Sequence, residues 1–197
     1  MNQNKRQLQK EFTRKRILQS AYQVYSDKGF GATTNMIAKE AQISHGTIFL
    51  HFPTAVELQI CLLEQFGMEI NKQLHQLSEK DDSLEDLLSA HIDVLIKHQN
   101  FYKRLIAESS FLPEQARYVY ISIQSSVSLH LSQAFEKGQK EGHIKNLSMH
   151  LMFNTWLGLL HYYLSNQELF APEGAVLNQY KEELVHHFIN LLKIGEE

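Results

Sequence analysis

Apolar residues return at intervals of three and four along nearly the whole chain, and no alternating apolar–polar run persists. That period keeps one face of an α-helix in a core, so the pattern predicts an all-α fold. Ile17, Leu18, Ala21, Val24 and Tyr25 form the buried stripe of a first helix over residues 5–28. Gly29 is placed to end it as the residue after the cap. Thr33 can cap a short helix over 34–41 that turns Ile37, Ala38 and Ala41 inward, and Ser44 can cap another over 45–51. Pro53 and Thr54 open a long helix reaching about residue 77. Asp81 or Asp82 starts the next, with the stripe Leu84, Leu87, Leu88, His91, Leu95 and His98. Residues 100–110 make a further helix, ended by Leu112-Pro113. Pro113 begins a long helix to about 140, Asn146 can cap one to about 166, and a last one follows Pro172 and Gly174 to about 194. The pattern gives about nine helices and no repeat.

The two short helices change the reading from fold to function. Two capped helices joined by the tight turn Gln42-Ile43 are the helix-turn-helix plan. In that plan the N-terminal residues of the second helix meet base edges in the major groove. Here they are Ser44, His45, Gly46 and Thr47, within the stretch ISHGTIFLHF at 43–52. Hydroxyls and imidazoles can bond phosphates or bases. Gly46 fits either close helix packing or close approach of the backbone to a duplex. Phe49 and Phe52 belong at least partly to the core. His51 suits a phosphate contact or a structural hydrogen bond equally.

Charge supports this division. The net charge of the 197 residues is −3. Residues 1–52 nevertheless hold eight Lys/Arg against three acids (+5), and the remainder eleven against nineteen (−8). A basic head on an acidic body predicts a polyanion partner for the head alone. One cysteine, Cys61, cannot build a disulfide framework or a thiolate metal site within the chain, and a reducing, cytoplasmic setting is the simplest expectation. No apolar run approaches the roughly 18 residues of a membrane span, and the N-terminus lacks the apolar stretch of a secretory signal, so no membrane partner is expected.

The segment TRKRILQSAYQVYSDKGFGATTNMIAKEAQISHGTIFLHFPTAVEL, residues 13–58, resembles the N-terminal domain of TetR-family transcriptional regulators. Thr13-Arg14, Ile17-Leu18, Ala21, Gly29-Phe30, Ala32-Thr33-Thr34, Ile37-Ala38, Ala41, Ile43-Ser44, Gly46 to Phe49, His51-Phe52-Pro53 and Glu57-Leu58 carry the resemblance in order across three helices. It implies a dimeric all-α protein with a three-helix DNA-binding head, residues 1–53 with the motif at about 32–51. The ligand-binding and dimerisation body would be 54–197. It also implies that Thr33 and Thr34 touch phosphates, that Ser44, His45, Gly46 and Thr47 face the groove, and that Phe49 and His51 occupy backbone-contact positions. His45 stands where the family usually has Lys or Arg, Ala55 where a phosphate-binding Lys is common, and Phe49 where Tyr is usual. The basic extension Lys5, Arg6 and Lys10 can offset those losses.

The body carries no P-loop, G-x-S-x-G or H-E-x-x-H, so no enzymatic activity is expected. Eleven histidines raise the question of a metal, but His186-His187 point to different faces and His91 and His98 lie seven residues apart, so neither metal nor cofactor is expected. His91 and His98 sit within an apolar stripe, as core residues or as polar anchors of a pocket. Phe66, Phe101, Tyr102, Phe111, Tyr118 and Trp156 could wall that pocket, or simply form an aromatic core; an apolar or aromatic small molecule is the expected effector. Leu177, Leu184 and Leu191 repeat at seven beside Tyr180 and Phe188, a seam-like stripe. The resemblance implies that this helix and the one bearing Trp156 and Gly158 pair with their mates in a homodimer. The function expected is a dimeric repressor of double-stranded operator DNA, released by a small molecule. An activator with the same head, a ligand-independent DNA-binding protein and an all-helical enzyme are the rivals.

Overall fold

The computed structural model describes residues 2–78 and 83–194, with side chains for 5–77 and 83–194. Among them are ten α-helices: α1 (Asn2–Lys28), α2 (Thr34–Glu40), α3 (His45–His51), α4 (Ala55–Ser78), α5 (Leu84–Lys97), α6 (Gln99–Glu108), α7 (Glu114–Lys140), α8 (Met149–Ser165), α9 (Gln167–Phe170) and α10 (Val176–Leu192). A 3-10 turn, Ser109–Phe111, follows α6. The all-α expectation holds, with the four-residue α9 as the addition. No single helix among the described residues is long and apolar enough to cross a membrane.

The chain forms two compact units, Met1–Phe66 with Asn100–Tyr120, and Gly67–Gln99 with Ile121–Glu197. In the first, α1 packs on α2 and α2 on α3. The predicted stripe of α1 is buried throughout, and Ile37, Ala38, Ala41, Ile48 and Phe52 complete the core beneath the short helices. Gly29 ends α1 as expected. Its φ of +83° is left-handed, and its N–H closes on the Tyr25 carbonyl at 2.9 Å. An aromatic group fills the rest of the unit: Phe101 lies against Tyr22, Phe30 and Phe66, with ring centroids 4.9–5.4 Å apart.

In the second unit α10 packs on α5 and α8. Trp156 of α8 is wholly buried against Phe188 of α10 (5.0 Å), and its indole N–H donates to Nδ1 of buried His91 on α5 at 3.1 Å. Ser83 begins α5 with a reciprocal capping box to Asp86. The predicted starts at Asp81 or Asp82 lie outside the described residues. Asn146 does not cap α8. Ile144 forms an antiparallel bridge with Lys193, Lys145 N–H bonds the Leu192 carbonyl at 2.8 Å, and the helix begins only after Ser148, which occupies the cap position without a side-chain capping bond.

Candidate nucleic-acid interface

The turn between α2 and α3 depends on one left-handed residue. Gln42 has φ +51°, which lets the Ile43 N–H return to the Ala38 carbonyl at 3.0 Å. Ser44 then caps α3, its hydroxyl accepting from the Thr47 N–H at 3.3 Å and lying 2.7 Å from the Thr47 hydroxyl. Ile48 (fully buried) and Phe52 anchor the inner face. The outer face presents Ser44, His45, Gly46 and Phe49, with Thr47 half-buried beside them.

Several expected contact residues already bond one another. Thr34 Oγ1 lies 2.8 Å from His45 Nε2, and the His45 ring meets Phe49 edge-on at 5.0 Å. Thr33 occupies the cap position of α2 in extended conformation, but its exposed hydroxyl makes no capping bond. A Cβ built on Gly46 meets nothing within 4 Å. Packing inside the chain therefore does not require glycine there. Leu50, 77% exposed, and Met36 on α2 also face out. Their exposure was not legible in the sequence, because an apolar side chain off the stripe reads only as an exception to the period.

His51 is half-buried, and its Nδ1 has no hydrogen-bond partner. Burial, and then the charges of Lys10 and Arg14, hold its pKa below the usual histidine range. Around neutral pH it is an uncharged ring beside two cations. Arg14 is fixed over the Phe52 ring, 4.4 Å from the centroid, and both terminal guanidinium nitrogens lie within 3.4 Å of Cys61 Sγ.

The eight expected pocket residues are shared between the two units, five in the first and three in the second. Phe66, Phe101 and Tyr102 are buried in the aromatic group of the first unit, whereas Phe111 (86% exposed) and Tyr118 stand on its surface. Burial raises the Tyr102 phenol well above its ordinary value. In the second unit His91 and Trp156 bond each other in the core, and His98 ends α5 with Nε2 3.0 Å from Glu69. A separate cleft of about 300 Å³ lies in that unit between the start of α5 and the ends of α7 and α10, floored by Leu84, Ala134, Ile144, Ile189 and Leu192. No residue of the sequence-derived pocket lines it.

The seam expected along α8 and α10 is mostly interior. Trp156, Leu177, Leu184 and Phe188 are at most 3% exposed, each filled against its own chain, so they have no surface to give a partner. Tyr180 is half-buried, its hydroxyl donating to the Phe170 carbonyl at 3.2 Å. Only Gly158 and Leu191 of that set are exposed. The seven-residue spacing arises because α10 fits between α5 and α8.

Residues 17–58 match the family model described as bacterial regulatory proteins, tetR family. Among curated proteins, the chain is 25% identical over 124 residues to the HTH-type transcriptional regulator YuxN of Bacillus subtilis, covering 59% of this chain and 43% of that protein. It is 35% identical over 100 residues to YvkB of the same organism, covering 50% and 51%. With the HTH-type transcriptional repressor Rv3405c of Mycobacterium tuberculosis it shares 32% identity over 82 residues, covering 41% and 43%. The chain thus spans about half, or less, of the length of these relatives. Among solved structures, a tetR-family regulatory protein from Rhodococcus RHA1 superposes with a TM-score of 0.74 at 16% identity, covering 93% of this chain and 98% of that one. The transcriptional regulator FadR from Bacillus subtilis, in complex with stearoyl-CoA, gives 0.73 at 16%, covering 88% and 96%. At such identities these two likenesses speak for the fold.

Proposed function

The N-terminal head of this chain belongs to the tetR family of bacterial regulatory proteins, and on that premise we propose that the protein is a sequence-specific DNA-binding transcriptional regulator, a dimeric repressor released from its operator by a small ligand. The observation that carries this reading is the two-sided build of α3. Ile48 and Phe52 are locked inside, while Ser44, His45, Gly46 and Phe49 stand outside around a glycine that internal packing does not require. Residues 1–53 are assigned to DNA binding and 54–197 to ligand binding and dimerisation. Two α3 helices enter successive major grooves, with half-sites about 34–36 Å apart. Thr33, Thr34, Ser44, His45, Gly46, Thr47 and Phe49 make the contacts, with His51 as a neutral neighbour of the backbone.

The dimer uses the outward stripe of α8, Leu151, Thr155, Gly158 and Tyr162, together with Leu191 of α10, all exposed. Their spacings of four, three and four along α8 put them on one helix face. The effector is an apolar small molecule, a reading supported by the fold shared with FadR, whose structure holds stearoyl-CoA. To release DNA it must bind the DNA-competent and the released states unequally. The protein works in the cytoplasm and performs no catalysis.

Selection of bound duplexes from a random pool, followed by a screen of apolar ligands for release, tests this reading. Enrichment of a paired half-site and its loss with ligand are expected. Failure of the wild type to enrich any paired site refutes DNA recognition, and enrichment that no ligand reverses refutes the release mechanism.

A further inference from the structure

We propose that Glu108 and Gln59 are positioning residues for DNA binding: they hold the Phe30 backbone at its amide and its carbonyl and so fix the turn that starts α2. The inference rests on the DNA-binding role assigned to the head. Where α1 ends, Gly29 turns the chain and Phe30 follows, only 6% exposed. A buried backbone amide needs a partner, and here no helix or strand supplies one. The Glu108 carboxylate, at the last residue of α6, accepts the Phe30 N–H at 2.7 Å. A Cβ built on Gly29 would run into that same carboxylate, so the glycine is what admits it. On the other side, the Phe30 carbonyl accepts from Nε2 of buried Gln59 on α4 at 3.2 Å. The ring is stacked on Tyr25 (5.0 Å, 11°) and leans on Phe101 (5.4 Å).

Arg104, one turn before Glu108, extends the same grip. Its Nη2 donates to the Asp27 carbonyl at 3.2 Å, and its Nη1 lies 4.0 Å from Glu108 Oε1. Side chains from α4 and α6 thus hold the exit of α1 at three backbone groups. Thr33, the cap of α2, comes three residues after Phe30, and the intervening turn is closed by the Ala32 N–H on the Gly29 carbonyl at 3.1 Å. That closed three-residue turn passes a shift of Phe30 directly to Thr33 and Thr34. None of these holding residues belongs to the helix-turn-helix itself, and the family match ends at residue 58, one position before Gln59.

Two measurements test this. In the free protein, amide hydrogen exchange at Phe30 is followed by NMR in wild type, Glu108→Gln and Glu108→Ala. Glutamine keeps a carbonyl acceptor and alanine does not. Exchange at Phe30 should rise roughly tenfold in Glu108→Ala and stay near wild type in Glu108→Gln. Equal protection in all three proteins would overturn the clamp. On the selected operator, Glu108→Ala should bind roughly tenfold more weakly and Glu108→Gln near wild type. The same Glu108→Ala change made in a Thr33→Ala/Thr34→Ala background should cost less than about twofold, because residues acting through one another are not additive. An undiminished loss in that background would overturn the positioning role, since Glu108 would then act on the whole fold. If no DNA is enriched, the DNA-binding reading and the positioning role fall together, while the exchange measurement still decides whether the clamp exists.

Discussion

Thr34 Oγ1 and His45 Nε2 lie 2.8 Å apart, so the first residue of α2 and the first residue of α3 hold each other in the free protein. A hydroxyl has one proton and two acceptor sites, so Thr34 can keep this bond and still accept or donate elsewhere. His45 has Nε2 engaged in that bond. Replacing His45 with Lys supplies a permanent cation that can donate both to Thr34 and to a phosphate. The expected result is tighter operator binding and a slope of log affinity against log salt steeper by about 0.9, the increment for one phosphate contact. Fluorescence anisotropy over a salt series measures both. An unchanged slope would place residue 45 away from the backbone of the duplex.

Gly46→Ala separates packing from DNA approach. The added methyl meets open space in the free protein, and alanine is a better helix former than glycine, so thermal stability should rise slightly, by at most about 1 kcal/mol. Operator affinity should nevertheless fall about tenfold or more if the α3 backbone lies against the duplex. Retained affinity alongside the gain in stability would remove Gly46 from the interface.

The head was legible because its signals are local. Ser44, Gln42-Ile43 and the stripe Ile37, Ala38 and Ala41 lie within ten residues of one another, and a cap, a turn and a helical period each leave a trace at that range. The same holds for Gly29 at the end of α1. What failed was partnership across long separations. Leu177, Leu184 and Leu191, with Phe188 beside them, make the same stripe whether they face α5 and α8 of their own chain or a second copy, and only coordinates distinguish the two. The grip of Glu108 on Phe30, 78 residues away, has no sequence signature at all. Aromatic residues such as Phe101 and Phe111 look alike in sequence, yet one is wholly buried and the other is 86% exposed.

Buried His91 and half-buried His161 set an acid limit on stability. Trp156 donates to Nδ1 of His91, so the neutral ring carries its proton on Nε2, and protonating Nδ1 would remove the indole's acceptor. Burial, with the charge of His161 added, lowers the His91 pKa to about 3, and burial lowers that of His161 to about 4. Both values lie below the ordinary 6.5, so the unfolded chain takes up protons first as pH falls. Their contribution is fully present above about pH 6.5 and is lost toward pH 4 and 3, at up to about 1.4 kcal/mol per pH unit for each group. At pH 5 each histidine should have cost about 2 kcal/mol. Urea unfolding of wild type and His91→Gln at pH 7.5 and 5 checks this. Glutamine keeps an acceptor for Trp156 but does not titrate, so the variant should lose about 2 kcal/mol less between the two pH values. Equal losses would mean that His91 is not held neutral.

The association surface can be tested against the buried seam beside it. Leu184 is 3% exposed, and Leu184→Lys places an unpaired charge in the core, so it should unfold the chain or lower its melting point steeply. Tyr162, at 58% exposure on α8, and Leu191, at 49% on α10, have surface free for a partner. Tyr162→Lys combined with Leu191→Lys should leave the melting of the protomer nearly intact while turning a micromolar solution monomeric in sedimentation. Operator affinity should then drop at least tenfold, because two half-sites would no longer be bound by one linked pair of heads. The concentration dependence matters as much as the drop. A monomer that still recognises a half-site recovers binding as protein is added, whereas a damaged head does not. A double variant that still sediments as a dimer would move the interface away from the outward stripe of α8 and α10.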